Sequence, residues 1–341
     1  MKHKTFFWFF LPTGLAMIVF IAFPLVSVVM QSVFLPVEAV LVETENCGPF
    51  GCKVETAIDQ EATALAREAN PLGRFSGFQV YKDRGHLAFA EVSEAWRSSP
   101  SMGGFFGELM DLPFYRALAF TLTYTLVCTP ALIALGFAVA VAVNSLHQRL
   151  KGLVIFFSLL PMIVTPLVGS LILFWMIDSR GVLGNFISYL ADDPDLSLKA
   201  STPLMWIGLI VYGIWSSAPF AFVVFYAGLQ TVPQDTLESA QIDGATRWQQ
   251  IRYVTIPHLM PLVTFVALIQ LMDNFRVLEP IVGFSAEAHA TSLSWIIFND
   301  LGGETQQLSA AATTSVLTIL GVAVLLSPVL IRTWQDFKGR T

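Results

Sequence analysis

Five side chains able to hydrogen-bond or carry charge stand close together in an otherwise apolar stretch: Gln270, Asp273, Asn274, Arg276 and Glu279. A charge at mid-bilayer costs about 2.5–3.5 kcal/mol on insertion scales, so a polar group there is a functional candidate. At about 100° per residue, Gln270, Asp273 and Asn274 fall within roughly a 100° arc, with Arg276 beside them and Glu279 on the far side. An amide, a carboxylate and a guanidinium on one face can bond the hydroxyls of a polar solute. The same spacing also lets Asp273 and Arg276 pair at i, i+3, or with a partner helix, and touch no solute. Catalytic patterns are missing: there is no Gly-x₄-Gly-Lys-Ser/Thr phosphate loop, no His-Glu-x-x-His and no Gly-x-Ser-x-Gly. The His residues, at 3, 86, 147, 258 and 289, are scattered. No catalytic residue, bound metal or cofactor is therefore expected.

Cys47 and Cys52 bracket Gly48-Pro49-Phe50-Gly51. A turn there can bring their α-carbons within the bonding range of about 4.4–6.8 Å. The alternative is two free thiols. A zinc site needs further ligands, and His86 is the one histidine in this polar segment. Cys128 lies in an apolar run and reads as a small buried hydrophobe.

These residues need a scaffold, and composition supplies its class. The 341-residue chain is 55% hydrophobic and 13% charged, with 28 Phe and a mean hydropathy of +0.65. A soluble domain carries roughly twice that charged fraction. A spanning helix needs about 20 apolar residues, and six stretches qualify: 6–30, 117–143, 153–177, 204–229, 262–284 and 308–331. They exceed the short alternating segments of a membrane barrel, and backbone in hydrocarbon must satisfy its own hydrogen bonds. An all-α polytopic membrane protein with six transmembrane helices is predicted. Lys2, His3 and Lys4 precede an apolar core in the manner of a secretion signal. That core runs to about Met30, beyond the usual signal length, and no small-residue cleavage site follows, so a retained first span is expected.

Short-loop basic residues set the orientation. Lys2, Lys4, Arg149, Lys151, Arg247, Arg252, Arg332, Lys338 and Arg340 fall on one side. That side, with both termini, is predicted to be cytoplasmic. Residues 35–112 then lie outside, where the compartment permits a Cys47–Cys52 disulfide. Within them 55–70 read as a short helix, followed by loop from Pro71. The segment reads as a cap packed on the membrane part. The formal charge of −6 reflects acids gathered in residues 38–68. No basic surface for nucleic acid is present.

Between the fourth and fifth stretches lies a polar, helix-forming loop, Glu238-Ser-Ala-Gln-Ile-Asp243-Gly244-Ala245, running on through Trp248 and Ile251 to Ile256-Pro257 and Pro261. Pro233 suits a first helical turn, and Asp235 suits the positive helix end. Gly244 permits the positive φ of a sharp reversal. A second short helix is expected after it, with Pro257 restarting the chain into the fifth span. Residues 233–246 contain no Lys or Arg, unlike a helix that lies on headgroups. Two short helices around a glycine make a ridge, with Glu238 and Asp243 as acidic contacts for a partner's arginines.

At these residues the chain resembles the permease subunits of ATP-binding-cassette importers, whose signature reads Glu-Ala-Ala, two residues, Asp-Gly-Ala and later Ile-x-Leu-Pro. Ser239 replaces the first Ala here and Ile256 the Leu. Ala117–Thr121, Pro161, Trp175, Gly181, Asn185 and Gly228-Leu-Gln-x-Val-Pro233 are similar to the family's order. Phe275, Thr291 and Ala310-Ala-Ala are similar to its carbohydrate branch, the maltose and glycerol-phosphate permeases. That branch usually has Gly-Gly-Pro where Gly283-Phe-Ser-Ala-Glu287 stands.

The resemblance implies a bacterial inner-membrane subunit of the type I importer permease fold with a long periplasmic insertion between helices 1 and 2. It implies a first span in 1–34, the outer segment 35–112, a permease core in 113–332 with a coupling loop at 231–260, and a cytoplasmic tail at 333–341. It places Glu238, Ala240, Asp243, Gly244, Ala245, Trp248 and Pro257 in a groove of an ATPase subunit. The implied partners are two ATPase chains that hydrolyse ATP, a second and homologous permease, a periplasmic solute-binding protein, the bilayer and a sugar, glycoside or polyol. Tyr212, Trp215, Phe220 and Tyr226 are candidates to stack on a sugar ring or to pack the core. The competing reading is a secondary transporter or channel driven by an ion gradient. Such proteins often carry internal repeats, and no clear duplication is present.

Overall fold

The computed structural model describes residues 3–35, 40–48, 51–70, 73–178, 180–191, 199, 201–302 and 307–338. The chain divides into two compact units, Met1–Arg116 with Ile296–Ile319, and Ala117–Trp295 with Leu320–Thr341.

The first unit opens on α1 (His3–Met17), a π-helical turn (Ile18–Ala22) and α2 (Phe23–Gln31), one apolar rod whose side chains are almost all exposed. Proline causes the π-turn. Pro24 has no N–H to give, and its ring crowds the carbonyl of Phe20, so the ladder widens locally to i→i+5. Strand β1 (Phe34–Leu35) follows, then the antiparallel hairpin β2 (Leu41–Gly48) and β3 (Gly51–Ile58), then α3 (Gln60–Ala69). Strand β4 (Arg74–Phe75) returns to pair with β1, Phe34 opposite Phe75.

The helix expected over 55–70 thus begins at Gln60. The Asp59 carboxylate caps it, accepting the N–H groups of Glu61 and Ala62 at 3.0 Å each. Residues 55–58 are strand, because Thr44 to Leu41 offer them a partner edge.

Helices α4 (Gln79–Lys82), α5 (Phe89–Ser98) and α6 (Met102–Met110) complete the segment before α7. It is tied to residues near 310. The Ser309 hydroxyl donates to the Phe34 carbonyl, Thr313 to the Ser32 carbonyl at 3.3 Å, and His86 Nε2 lies 3.2 Å from the Ala310 carbonyl. Tyr115 donates to the Leu87 carbonyl at 2.8 Å.

The second unit is built on α7 (Pro113–Ser145), α8 (Gln148–Ile163), α9 (Pro166–Met176), α10 (Val182–Ala191) and α11 (Thr202–Leu229). After α12 (Gln234–Ile242) come α13 (Arg247–Gln250), a second π-turn (Ile251–Thr255), α14 (Ile256–Phe275) and α15 (Glu279–Gly283). Helices α16 (Leu293–Gly302) and α17 (Leu308–Lys338) follow, and their stretch Ile296–Ile319 belongs to the first unit. The core of the second unit has two neighbouring clusters. One joins Phe120 and Tyr124 of α7 to Leu209 and Tyr212 of α11 and to Ile281 and Phe284. The other joins Leu132 and Val143 to Phe222, Phe225 and Val266.

Among the described residues, five helices are long and apolar enough to cross a membrane, and a sixth crossing arises if the pair α8–α9 counts as one span. The expected continuous helix at 153–177 is bent by 94°. Val164 and Thr165 have extended ψ angles of 125° and 143°. Pro166 accounts for Thr165, since the residue before a proline is pushed out of the α region.

The expected span 262–284 also breaks, at Arg276, whose φ and ψ are −99° and 23°. Pro280 would have received the carbonyl of Arg276 in a continuous helix, and it has no N–H to offer. Side chains take up freed carbonyls around this break. The buried Ser292 hydroxyl donates to Val277 O at 2.5 Å, and Ser170 points to Glu279 O at 3.4 Å.

Candidate functional site

The polar loop folds as two helices joined by the shortest corner their caps allow. Pro233 is the N-cap of α12 and Asp243 its C-cap. Gly244 takes φ +80°, as its place after Asp243 predicted. This left-handed residue lets the Gly244 N–H reach the Gln241 carbonyl at 3.0 Å and the Ala245 N–H reach the Ala240 carbonyl at 2.9 Å. Together these are the paired 5→2 and 6→1 bonds of a Schellman cap. The next residue, Thr246, already caps α13. Its N–H donates to Gln249 Oε1 at 2.7 Å, and Gln249 N–H donates to Thr246 Oγ1 at 3.4 Å, a reciprocal capping box. Gln250 Nε2 holds the Ala245 carbonyl at 2.9 Å. Every backbone group at this corner named here is thereby paired within the corner itself.

Beyond it the expectation for Pro257 needs correcting. Helix α13, the π-turn and α14 run as one helix from Arg247 to Phe275. The π-turn absorbs Pro257 as the earlier one absorbs Pro24. The second arm of the ridge is therefore rigidly continuous with the fifth span. Glu238 and Asp243 are exposed at the ridge. So are three large apolar side chains, Ile242 at 87%, Trp248 at 66% and Tyr253 at 70% relative exposure. Ile242 and Tyr253 were not singled out from sequence. Their signal was a large apolar side chain within a largely polar, lysine-free loop.

The polar residues of the fifth span separate into two pairs. Gln270 and Asn274 are buried. The Asn274 amide donates to Thr129 Oγ1 of α7 at 3.0 Å, while Gln270 Oε1 has no hydrogen-bond partner among the described residues. Asp273 and Arg276 form an ion pair of 2.9 Å, with side chains 50% and 56% exposed. Pairing and outward exposure hold together. Glu279 lies past the break, on α15, so the single-helix arc does not extend to it.

Among the aromatic candidates, Tyr212 is buried and its hydroxyl donates to the Pro166 carbonyl at 2.6 Å. It anchors the kink between α8 and α9. Trp215 is partly open and borders a cavity of about 430 Å³ lined by Leu173, Ile177, Met205, Tyr212 and Phe284 among others. That lining is almost wholly apolar and offers few partners to a polyhydroxylated solute. Phe220 lies near Phe265, and Tyr226 beside Phe222.

Past the end of α9, Asp178 pairs with Lys199 at 2.7 Å, and Lys199 stands 3.4 Å from the centre of the Phe174 ring. The hydrogen bond from Lys199, then that from the Arg180 N–H, holds the Asp178 carboxyl below its usual range.

Residues 101–337 match the family model described as the binding-protein-dependent transport system inner membrane component. The chain belongs to this family. It is a membrane-spanning permease of the ATP-binding-cassette class, a transport subunit. Membership sets aside the reading as a secondary transporter or channel. Over 237 residues this transport component is 29% identical to a probable ABC transporter permease protein, y4oQ, of Sinorhizobium fredii, covering 68% of this chain and 74% of that one. Over 228 residues it is 28% identical to the trehalose transport system permease protein SugA of Mycobacterium tuberculosis, covering 66% and 71%. Among solved structures it is similar to a chain of a bacterial ABC transporter involved in the import of the acidic polysaccharide alginate. The TM-score is 0.58 at 19% identity, over 81% of this chain and 96% of that one. At that identity the likeness shows the fold alone, the type I permease fold.

Proposed function

We propose that this permease carries a sugar, glycoside or polyol inward across a bacterial inner membrane, driven by ATPase chains that grip the corner between α12 and α13. The observation that carries this reading is the self-satisfied corner at Gly244. Its backbone bonds are closed internally, yet Ile242, Trp248 and Tyr253 are exposed, as are Glu238 and Asp243. A partner groove lined by apolar residues and arginines would cover both. Because α13 is continuous with α14, a push at Trp248 turns the fifth span without bending a joint.

The arrangement calls for two ATPase subunits, a second permease of the same family and a solute-binding protein on the outer face. Basic residues such as Arg149, Lys151, Arg247 and Arg252 support a cytoplasmic corner and cytoplasmic termini. The exposed Asp273–Arg276 pair is the best-placed polar group for the solute path, with Gln270 and Asn274 behind it. The sugar assignment is supported by the similarity to a trehalose transport permease.

The test is uptake of labelled trehalose into proteoliposomes holding the assembled complex and its binding protein. Uptake driven by internal ATP and indifferent to a protonophore supports the reading. Uptake that needs an ion gradient and ignores ATP refutes it.

A further inference from the structure

Outside the transport path, the first unit places its two cysteines face to face. Strands β2 and β3 pair with Cys47 directly opposite Cys52 and Gly48 opposite Gly51. The ladder also has a phase. Just beyond its far end the Asp59 N–H donates to the Val40 carbonyl at 2.9 Å, which makes Val40 and Asp59 a hydrogen-bonded pair. Opposed pairs in an antiparallel ladder alternate between bonded and non-bonded. Counting inward from Val40–Asp59, the pairs at 42–57, 44–55, 46–53 and 48–51 are bonded, and 47–52 is non-bonded. A non-bonded pair has its α-carbons about 4.5 Å apart, inside the disulfide range of about 4.4–6.8 Å. The side chains of Cys47 and Cys52 are outside the described residues; register and phase carry the argument.

The hairpin also has need of a staple. It is a two-stranded sheet on its own, and such hairpins are marginal in water. Its loop sequence lacks the Asn-Gly or Asp-Gly that favours a tight turn.

We propose that Cys47 and Cys52 form an intrachain disulfide that closes the tip of this hairpin. The inference rests on the outward placement of residues 35–112 in the proposed topology, because only an oxidising compartment sustains the bond. Closure is thiol–disulfide exchange with an oxidised dithiol protein or another disulfide donor. One cysteine thiolate attacks the donor's disulfide, releasing one donor thiol and leaving a mixed disulfide. The second thiolate then displaces the other donor thiol. The pair loses two protons and two electrons, and the donor is reduced to two thiols.

The experiment uses the full chain in its native membrane. Cells are quenched in acid, the protein is unfolded in detergent, and free thiols are counted by the gel shift of a polymer-tagged maleimide. One adduct, at Cys128, is expected without reductant, and three after reduction. Three adducts without reductant overturn the proposal. A second arm equilibrates the purified protein in glutathione redox buffers and seeks the cross-linked peptide by mass spectrometry. Failure to close there, while Cys52→Ser still exchanges with oxidised glutathione, refutes the ladder geometry and leaves the transport reading untouched. Closure in the buffer with three free thiols in the cell refutes the outward placement instead.

Discussion

The backbone N–H of Ala245 donates to the carbonyl of Ala240 across Gly244, 2.9 Å away. This bond gives a physical reason for the Glu-Ala-Ala and Asp-Gly-Ala spacing. The two alanines are the third-from-last position of α12 and the second position past its C-cap Asp243, which the Schellman bond joins.

Gly244 is therefore needed for its φ of +80° and not for room, because a β-carbon there would meet nothing within 4 Å. A left-handed conformation costs an ordinary residue about 1–2 kcal/mol, and asparagine tolerates it better. Uptake and retention of the ATPase on purification are expected to fall in the order Gly, Asn, Ala, Val, with Gly244→Asp impaired beyond Asn. Equal activity of the alanine and valine variants would contradict this.

Much of this corner was legible in the chain. Gly244 takes the positive φ that its place predicted, while Pro233 stands one position earlier than the expected first turn, as the N-cap. The third and fifth hydrophobic stretches are helical, as expected. Their interruptions were not legible. Pro166 and Pro280 break helices while Pro257 and Pro24 sit in continuous rods, and nothing in a proline itself distinguishes the cases. The difference lies in what receives the freed carbonyls: Ser292 at Val277 in one case, a widened π-turn in the others. The hairpin at 41–58 carried a readable signal, β-branched residues alternating with charges in Val42-Glu43-Thr44-Glu45 and Lys53-Val54-Glu55-Thr56. The helix-favouring run that follows masked it. Gln270 and Asp273 shared an arc on the wheel, but burial depends on which helix packs against that arc, and no wheel contains the position of α7.

Gly283 illustrates a close approach that sequence conceals. A β-carbon there would lie 1.9 Å from Ser170 Oγ and 3.1 Å from the Leu167 carbonyl, which sets how tightly α15 packs on α9. Gly283→Ala is expected to destabilise by about 1–3 kcal/mol, the usual cost of overpacking. Thermal unfolding in detergent measures it. Adding Ser170→Gly is expected to recover most of the loss; no recovery would show that the contact is not limiting.

The Asp273–Arg276 pair is half exposed, and such pairs contribute about 0–1 kcal/mol. Asp273→Asn is expected to leave the melting temperature and ATPase attachment unchanged while raising the KM for uptake. Unchanged uptake would remove the pair from the solute path.

Asp178 predicts a pH response. Its carboxyl is held below the usual range first by the Lys199 hydrogen bond, so the native state favours the ionised form. The contribution is present above the unfolded pKa of about 3.9 and is lost as pH falls through the lower folded value. Wild-type stability relative to Asp178→Asn should therefore be constant near neutrality and converge in acid below about pH 4. A gap that widens in acid would contradict this.

The central claim is that the exposed edge of the Gly244 corner is covered by an ATPase. A photo-crosslinking amino acid at Ile242, 87% exposed and outside the corner's bond network, tests it in intact membranes. The account predicts one major adduct, with a phosphate-loop ATPase, weakened by Gly244→Val. Adducts with lipid or an outer-face protein alone, in cells that still import the solute, would contradict it.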